Sequence, residues 1–217
     1  MVLSTDVRQI IDALLLSGGS LIASPHSAFY TQASLYYDYL QWVSEKLSEK
    51  GIDQRGRVVG RRTVRGSIIW RYASYSYHEL RALRNVWYSD LNNTETESRK
   101  FKELPDDFEF SRETALFWYL NRGHLILTRY YNGRYWNIRF FVGRFSEESV
   151  QRLTEELRSI GCRATAYVSS QYTSYINITN PRRFLNYIGP CPQKLIHIVY
   201  SKNPSYGAFS RKWDMNR

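Results

Sequence analysis

Basic side chains recur at strand-like spacing in both halves of this 217-residue sequence. A β-strand turns alternate side chains to one face, so arginines at such positions form a line of positive charge. A guanidinium can bind phosphate oxygens through paired hydrogen bonds, and tyrosine or tryptophan rings can stack on bases. The residues that could do this chemistry are Arg57, Arg61, Arg65 and Arg71 in the first half, and Arg129, Tyr131, Arg134, Trp136 and Arg139 in the second. The pattern favours nucleic-acid binding, and the alternative is a solvated outer face of basic strands.

The overall composition points in the same direction. The formal net charge is +10, the isoelectric point is about 9.6, and 16% of the residues are aromatic, including 18 tyrosines. A basic surface rich in planar rings suits phosphate backbones and unstacked bases. The alternative is that tyrosine fills strands and that the excess charge only aids solubility.

Residue types that carry other chemistry are scattered. His26, His78, His124 and His197 show no recurring spacing with cysteine, serine or aspartate, and no paired spacing is typical of zinc. Two cysteines in a chain of this length argue against a disulfide scaffold and favour a reducing compartment. Because the start of the sequence carries Asp6 and has no basic region ahead of a short apolar run, we expect a soluble intracellular protein, in the cytoplasm or an organelle, with no membrane partner.

Helical and strand-like periods alternate in the elements that must position these residues. Ser4 or Thr5 can cap a first helix that ends at Gly18-Gly19. After it come a hairpin, a second helix that ends at Gly51, two strands and a third helix. The order then starts again with a helix capped by Ser111 and ends with a helix that has Pro181 in its first turn.

The repeated order indicates an internal duplication. Each half reads α-β-β-α-β-β-α, so we expect an α+β fold of two pseudo-symmetric repeats packed through their first helices, with two four-stranded antiparallel sheets. We expect a monomer because the two halves supply the twofold symmetry within one chain. The predicted boundaries are a first repeat at residues 1–90, a linker at 91–110, a second repeat at 111–200 and a basic tail at 201–217.

Five segments resemble the signature segments of the LAGLIDADG homing endonuclease family in its single-chain, two-repeat form. LLLSGGSL at residues 14–21 and LFWYLNRGHL at 116–125 resemble the two signature helices. The others are FYTQASLYYDYLQWV, FSEESVQRLTEELRSIGCRATAY and IGPCPQKLIHIVYSK. Each segment alone is weak evidence, but together they occur in the order expected for the family across nearly the whole chain.

The resemblance implies a central pair of helices, two curved sheets that lie in the major groove of DNA, and an acidic residue at the end of each signature helix that binds Mg²⁺. This sequence departs from that pattern. The two acidic positions are Gly18 and Arg122, with Asn121 just before the second. We therefore predict no catalytic residues, no bound metal and no other cofactor. Mg²⁺ would be needed only if an active nuclease uses relocated ligands such as Asp12, Asp106, Asp107, Glu109 or Glu113.

The resemblance also suggests roles for further residues. Gln32 is matched to a polar position that would contact nucleic acid, and Arg122 could reach a phosphate in place of the metal. The basic position that the family places on the last strand pair has no clear match, and its candidates for nucleic-acid contact are Ser169, Ser170 and Gln171. The alternative for Arg122 is a structural ion pair. The residues expected at the repeat interface are Leu14, Gly18, Gly19, Trp118, Asn121 and Gly123.

Our hypothesis from the sequence is a homing-endonuclease scaffold that binds nucleic acid and has lost cleavage. Family members of this kind include intron maturases, and the high tyrosine content favours structured intron RNA, with a splicing role, only narrowly over a specific DNA site. Three alternatives stay open: an active Mg²⁺-dependent endonuclease, a transcription regulator, and an RNA-bound structural subunit of a ribonucleoprotein particle.

Overall fold

Two halves with the same order of helices and strands make up the part of the chain that the structure describes. The computed structural model describes residues 4–64, 66–88, 101–131, 133–168, 174–201, 209 and 212–215. The first half contains α1 (Thr5–Leu16), β1 (Ser20–Ala23), β2 (Ala28–Ser34), α2 (Tyr37–Ser48), β3 (Val59–Arg62), β4 (Ile68–Tyr77) and α3 (Glu79–Trp87). The second contains α4 (Arg112–Arg122), β5 (Gly123–Tyr130), β6 (Gly133–Phe141), α5 (Glu147–Ser159), β7 (Ala164–Tyr167), β8 (Tyr175–Ile178) and α6 (Pro181–Ile188). A 3-10 turn at Gln193–Leu195 then leads into α7 (Ile196–Val199).

The strands form two four-stranded antiparallel sheets, in the orders β1-β2-β4-β3 and β5-β6-β8-β7. The two orders are equivalent, because each sheet adds its third and fourth strands to the same edge of its first hairpin. The predicted α+β fold of two pseudo-symmetric repeats is therefore confirmed.

Serine caps begin the two central helices at the predicted positions. The Ser4 hydroxyl accepts a hydrogen bond from the Val7 N–H at 3.4 Å, and the Ser111 hydroxyl accepts one from the Thr114 N–H at 3.1 Å. Each cap satisfies a backbone donor that has no partner within the helix, which is worth about 1 kcal/mol.

The helices α1 and α4 lie at the centre and pack against each other. From Ile10 to Leu16 every residue of α1 is buried, since the helix contacts protein on all sides. Across the repeat boundary, the Phe117 ring of α4 lies 4.7 Å from the Trp42 ring of α2. None of the described helices is both long and apolar enough to cross a membrane.

Arg57 and the predicted linker lie differently from what the sequence alone indicates. Arg57 precedes strand β3, which extends only over Val59–Arg62. The predicted linker is packed in its second part, residues 101–110, which we call the strap. In the strap Lys102 and Leu104 are buried, and Lys102 bridges to Phe145 in strand fashion.

The predicted basic tail is also partly buried. Phe209 and Lys212 are almost completely buried, and the Trp213 indole N–H donates to the Gly189 carbonyl at 3.1 Å. Residues 202–208, 210, 211, 216 and 217 lie outside the described residues. The described part of the tail is therefore a packed segment of the second half.

Candidate nucleic-acid interface and helix junction

The C-terminal ends of α1 and α4 meet at Ser17, Gly18, Asn121 and Arg122, which we call the helix junction. The Asn121 amide donates a hydrogen bond to the Ser17 carbonyl. Gly18 has a φ of +104°, in a region that residues with a side chain rarely adopt. A Cβ atom built on Gly18 would lie 2.4 Å from both Nε and Nη2 of Arg122. The Arg122 guanidinium therefore fills the space that a side chain at position 18 would need.

Cations surround the helix junction. Burial and then the charge of Arg144 lower the pKa of Arg122. Burial also lowers the pKa of Lys102 well below its ordinary value, with further contributions from Arg122 and Arg144. Among the described residues none of these three cations forms an ion pair with a carboxylate. The junction is therefore positively charged without a described protein counter-charge, which suits an anion.

A buried lysine caps the C-terminal end of each central helix. The Lys102 amine donates to the carbonyls of Leu15 and Gly19, both at 2.5 Å. In the second half the Lys212 amine donates to the Tyr119 carbonyl at 2.7 Å and to the Gly123 carbonyl. The Leu15 and Tyr119 carbonyls also accept backbone N–H groups, from Gly18 and Gly123 respectively, and they lie at the negative ends of the helix dipoles, where a positive group is favourable. The two caps are equivalent under the pseudo-symmetry of the repeats.

Gln32 lies beneath the helix junction, where its side chain is enclosed by hydrogen bonds. Its amide donates to the Ser17 hydroxyl at 3.2 Å and accepts from the Tyr30 hydroxyl at 2.7 Å. Only 2% of Gln32 is exposed. The prediction that Gln32 contacts nucleic acid is therefore wrong for this conformation, because the side chain holds the core polar network and does not reach the surface.

One face of each sheet packs against the helices, and we call the opposite face the open face. In the first half, Arg71 pairs with Val59 and Ile69 pairs with Arg61. These four residues alternate with the helix-facing Trp70 and thus lie on the open face. Arg61 and Arg71 are exposed there together, as predicted, and Arg57 is exposed just before β3.

In the second half, the predicted basic face is divided between the two sides of the sheet. Arg139 lies between the buried residues Ile138 and Phe140 and therefore faces the open side. Arg134 and Trp136 differ from Arg139 by odd numbers of residues along β6, so they have the opposite orientation. Arg129 pairs with Arg134 and shares its orientation. The prediction that these three arginines form one face is wrong.

Comparison with known proteins places the chain in a family. Residues 8–184 match the model of the LAGLIDADG DNA endonuclease family. The chain belongs to this family. Its fold is similar to that of the homing endonuclease I-WcaI bound to its DNA recognition sequence, with 13% identity, a TM-score of 0.66, and 90% of this chain and 86% of that chain covered. It is also similar to the N-terminal LAGLIDADG domain of DUF199/WhiA, with 12% identity, a TM-score of 0.52, and coverage of 87% and 83%. No curated protein sequence matches the chain at a significant level.

The residues at the helix junction of this LAGLIDADG chain do not fit a divalent metal. Mg²⁺ takes oxygen ligands, most often carboxylates. Gly18 offers no side chain, the Asn121 amide nitrogen is bonded to Ser17, and the Arg122 guanidinium lies where the cation would be held. Lys102 and Arg144 add further positive charge.

Two of the carboxylates that could act as relocated ligands are engaged away from the helix junction. The candidates in this LAGLIDADG chain are Asp12, Asp106, Asp107, Glu109 and Glu113. Asp12 accepts hydrogen bonds from Trp87 at 2.6 Å and Arg8 at 2.9 Å, and Arg8 also pairs with Asp107. Asp12 precedes Gly18 by about 9 Å along the helix axis at a rise of 1.5 Å per residue. Asp12 and Asp107 thus tie α1 to α3 and the strap.

The predicted interface residues divide into two groups. Gly18 and Asn121 do make contacts between the repeats, through Arg122 and Ser17 respectively, while Leu14 is fully buried in α1. For Gly19, Gly123 and Trp118 the nearest contacts lie within their own halves: a Cβ on Gly19 would meet Tyr30, one on Gly123 would meet Tyr119, and Trp118 stacks on Phe140 at 4.0 Å. Small size at these two glycines permits close packing of aromatic rings in each repeat.

Other predicted contact residues are exposed or lie outside the described part. Tyr131, next to the β5–β6 turn, is fully exposed. Arg65, Ser169 and Gln171 lie outside the described residues.

Sequence reasoning missed three features of the site. The buried lysines Lys102 and Lys212 look like ordinary members of polar segments, so only their tertiary environment identifies them. The pairing of Tyr167 with Tyr175 was also missed, because a sequence does not give the register of β7 and β8. Alternation of exposed tyrosines in these strands was the only available signal.

Proposed function

We propose that this LAGLIDADG chain binds nucleic acid across the open faces of its two sheets and does not cleave it by the metal-dependent route of the family. The single observation that carries the proposal is the helix junction. Where a nuclease needs two carboxylates, this chain has a glycine and an arginine whose guanidinium occupies the gap between the helices.

Arg122 would then contact a phosphate of the bound strand. Its charge has no carboxylate partner among the described residues, and burial and Arg144 lower its pKa. An approaching phosphate would relieve this unfavourable environment, since an opposite charge favours the protonated guanidinium. Arg122 is thus suited to position nucleic acid at the centre and has no means of activating water.

Arg61 and Arg71 would supply further phosphate or base contacts on the first open face, and Arg139 on the second. The net charge of +10 adds long-range attraction for any polyanion. A similar fold occurs in the homing endonuclease I-WcaI bound to its DNA recognition sequence. On this basis we propose a DNA site with a duplex part as the target. The alternative target is folded intron RNA, which the tyrosine content favours narrowly.

The test is equilibrium binding of labelled duplex DNA and folded RNA, each selected from a random pool, at several salt concentrations. We expect binding that weakens with salt because phosphate contacts release counterions. We also expect equal binding in Mg²⁺ and in EDTA, with no cut strand. Cleavage in Mg²⁺ that EDTA abolishes would refute loss of activity, and salt-insensitive binding would refute the phosphate contacts.

The variant Arg122→Met isolates the proposed phosphate contact. It should reduce the slope of log affinity against log salt by about 1, the amount expected for one phosphate contact. Arg182→Met is the matched control, because Arg182 is an exposed arginine on α6, away from the open faces. If both variants change the slope equally, Arg122 acts only through net charge.

A further inference from the structure

The two open faces carry different chemistry at equivalent positions. In the second half, Phe141 on β6, Tyr175 on β8 and Tyr167 on β7 lie in one row across the sheet. The equivalent row of the first half contains Ala33 on β2, Arg71 on β4 and Val59 on β3. One row is entirely aromatic, and the other contains no ring.

The aromatic row is a built array of rings, which we call the ring platform. Tyr167 stacks on Tyr175 with 4.8 Å between the ring centres and 23° between the planes. Phe141 contacts Tyr175 edge to face, and His124 contacts Phe141 in the same way. Mutual packing restricts the rotation of each ring, so little conformational freedom is left to lose on binding.

The ring platform is nevertheless open to solvent. Tyr167 is 49% exposed and Phe141 is 46% exposed, and neither contributes to the core on the other side of the sheet. Large rings in these positions do not stabilise the fold by burial as the helix-facing Ile176 and Ile178 do. Their exposed surface is available to a partner.

A cation lies over the ring platform. The Arg139 guanidinium carbon is 4.3 Å from the centre of the Tyr175 ring, and its Nε atom is buried without a hydrogen-bond partner among the described residues. The other guanidinium nitrogens remain able to reach a phosphate while the ring surface beside them stays flat. Aromatic rings together with positive charge on a sheet are the elements that hold unpaired bases and their backbone.

We propose that the ring platform binds unpaired bases, so that the target of this protein is a nucleic acid in which an unpaired segment adjoins a duplex. The duplex part lies on the open face of the first half, where Arg61 and Arg71 take its phosphates. This proposal rests on the proposed function, because it assigns the kind of nucleic acid bound by the same surface. Paired bases within a helix present only their edges, whereas unpaired bases expose the faces on which rings stack.

The experiment measures binding of the full chain to a duplex and to the same duplex with an unpaired extension, made once as DNA and once as RNA. 2-Aminopurine in the extension reports stacking through its fluorescence. We expect the extended probe to bind about tenfold more tightly than the blunt duplex, since stacking of one base contributes roughly that factor. The DNA and RNA arms identify the type of strand bound.

The variant Tyr167→Leu removes a ring and keeps an apolar side chain. It should abolish the advantage of the extended probe and leave binding of the blunt duplex unchanged. The matched control is Tyr75→Leu, at an exposed tyrosine of β4 in the first half, which should retain the advantage. Thermal unfolding of each variant shows whether it is folded, and Tyr167→Phe should restore binding if Tyr167→Leu is unstable.

The outcomes separate this proposal from the one on which it rests. Equal binding of both probes, or an equal loss of both in Tyr167→Leu, would overturn the role of the ring platform and leave nucleic-acid binding intact. Failure of every probe to bind in a salt-dependent manner would overturn both proposals.

Discussion

Replacement of Lys212 by methionine should remove a rise in stability that the native protein shows between about pH 7 and about pH 9. Lys212 is only 4% exposed, and burial lowers the pKa of its amine from the ordinary value of 10.5 to about 7. Within this window the unfolded chain carries a proton on Lys212 that the folded chain has released. Stability therefore increases with pH, because the unfolded state binds more protons.

The size of the effect follows from the two pKa values. Below about pH 7 both states are protonated, and the full penalty of burying the charge is present. Integration of the difference in bound protons between about pH 7 and about pH 9 gives a gain of about 2 kcal/mol. The carbonyls of Tyr119 and Gly123 accept from the amine in either protonation state, so the hydrogen bonds do not cancel the effect.

Urea unfolding at several pH values measures this gain directly. The quantity compared is the free energy of unfolding of the native protein minus that of Lys212→Met at each pH, since other titrating groups contribute equally to both. Lys50→Met serves as the control because Lys50 is an exposed lysine that undergoes the same chemical change. A pH profile of Lys212→Met that parallels the native one would show that the pKa of Lys212 is not lowered in the folded protein.

Two further predictions concern the packing at the centre. Gly18→Ala should lower the free energy of unfolding by about 1–2 kcal/mol from its positive φ alone, and by more when Arg122 is present. A double-mutant cycle with Arg122→Ala should therefore give a coupling energy of at least about 0.5 kcal/mol. Strict additivity of the two single changes would contradict the contact. Phe117→Ala should lower the free energy of unfolding by about 3–5 kcal/mol, because the ring is fully buried against Trp42. Denaturant unfolding should show a smaller loss for Leu116→Ala, since the neighbouring Leu116 is only half-buried. Comparable losses in the two variants would contradict the packing of Phe117 against Trp42.

The sequence predicted those parts of the fold that depend on local rules. Ser111 and Pro181 lie at helix starts because their backbone preferences are local, and the alternation that placed Arg61 and Arg71 together is a property of one hairpin. The error at Arg134 has an equally simple cause. Arg129 and Arg134 face each other across a turn, and Arg139, five residues further along the same strand, must point the other way.

The parts that could not be predicted depend on distant contacts. Gln32 has the composition of a surface residue, yet its partners Ser17 and Tyr39 come from two other elements. Lys102 and Lys212 are similar cases, because a lysine is buried only where the fold supplies backbone carbonyls to receive it. No local pattern carries that information. The sequence shows which residues occupy positions 18 and 122, but it does not show that they contact each other.

That contact explains why the two departures from the family pattern belong together. The C-terminal ends of α1 and α4 meet at the helix junction, so the negative ends of two helix dipoles face one space. Arg122 places a positive charge there, Lys102 donates to the Leu15 carbonyl of α1, and Lys212 donates to the Tyr119 carbonyl of α4. Arg122 can occupy this space only because position 18 is glycine. An aspartate introduced at position 18 alone would meet the guanidinium and pair with it, so a pair of carboxylates at the junction would require changes at both positions. The residues at positions 18 and 122 are therefore coupled by packing, because the side chain of one fills the space that the other leaves open.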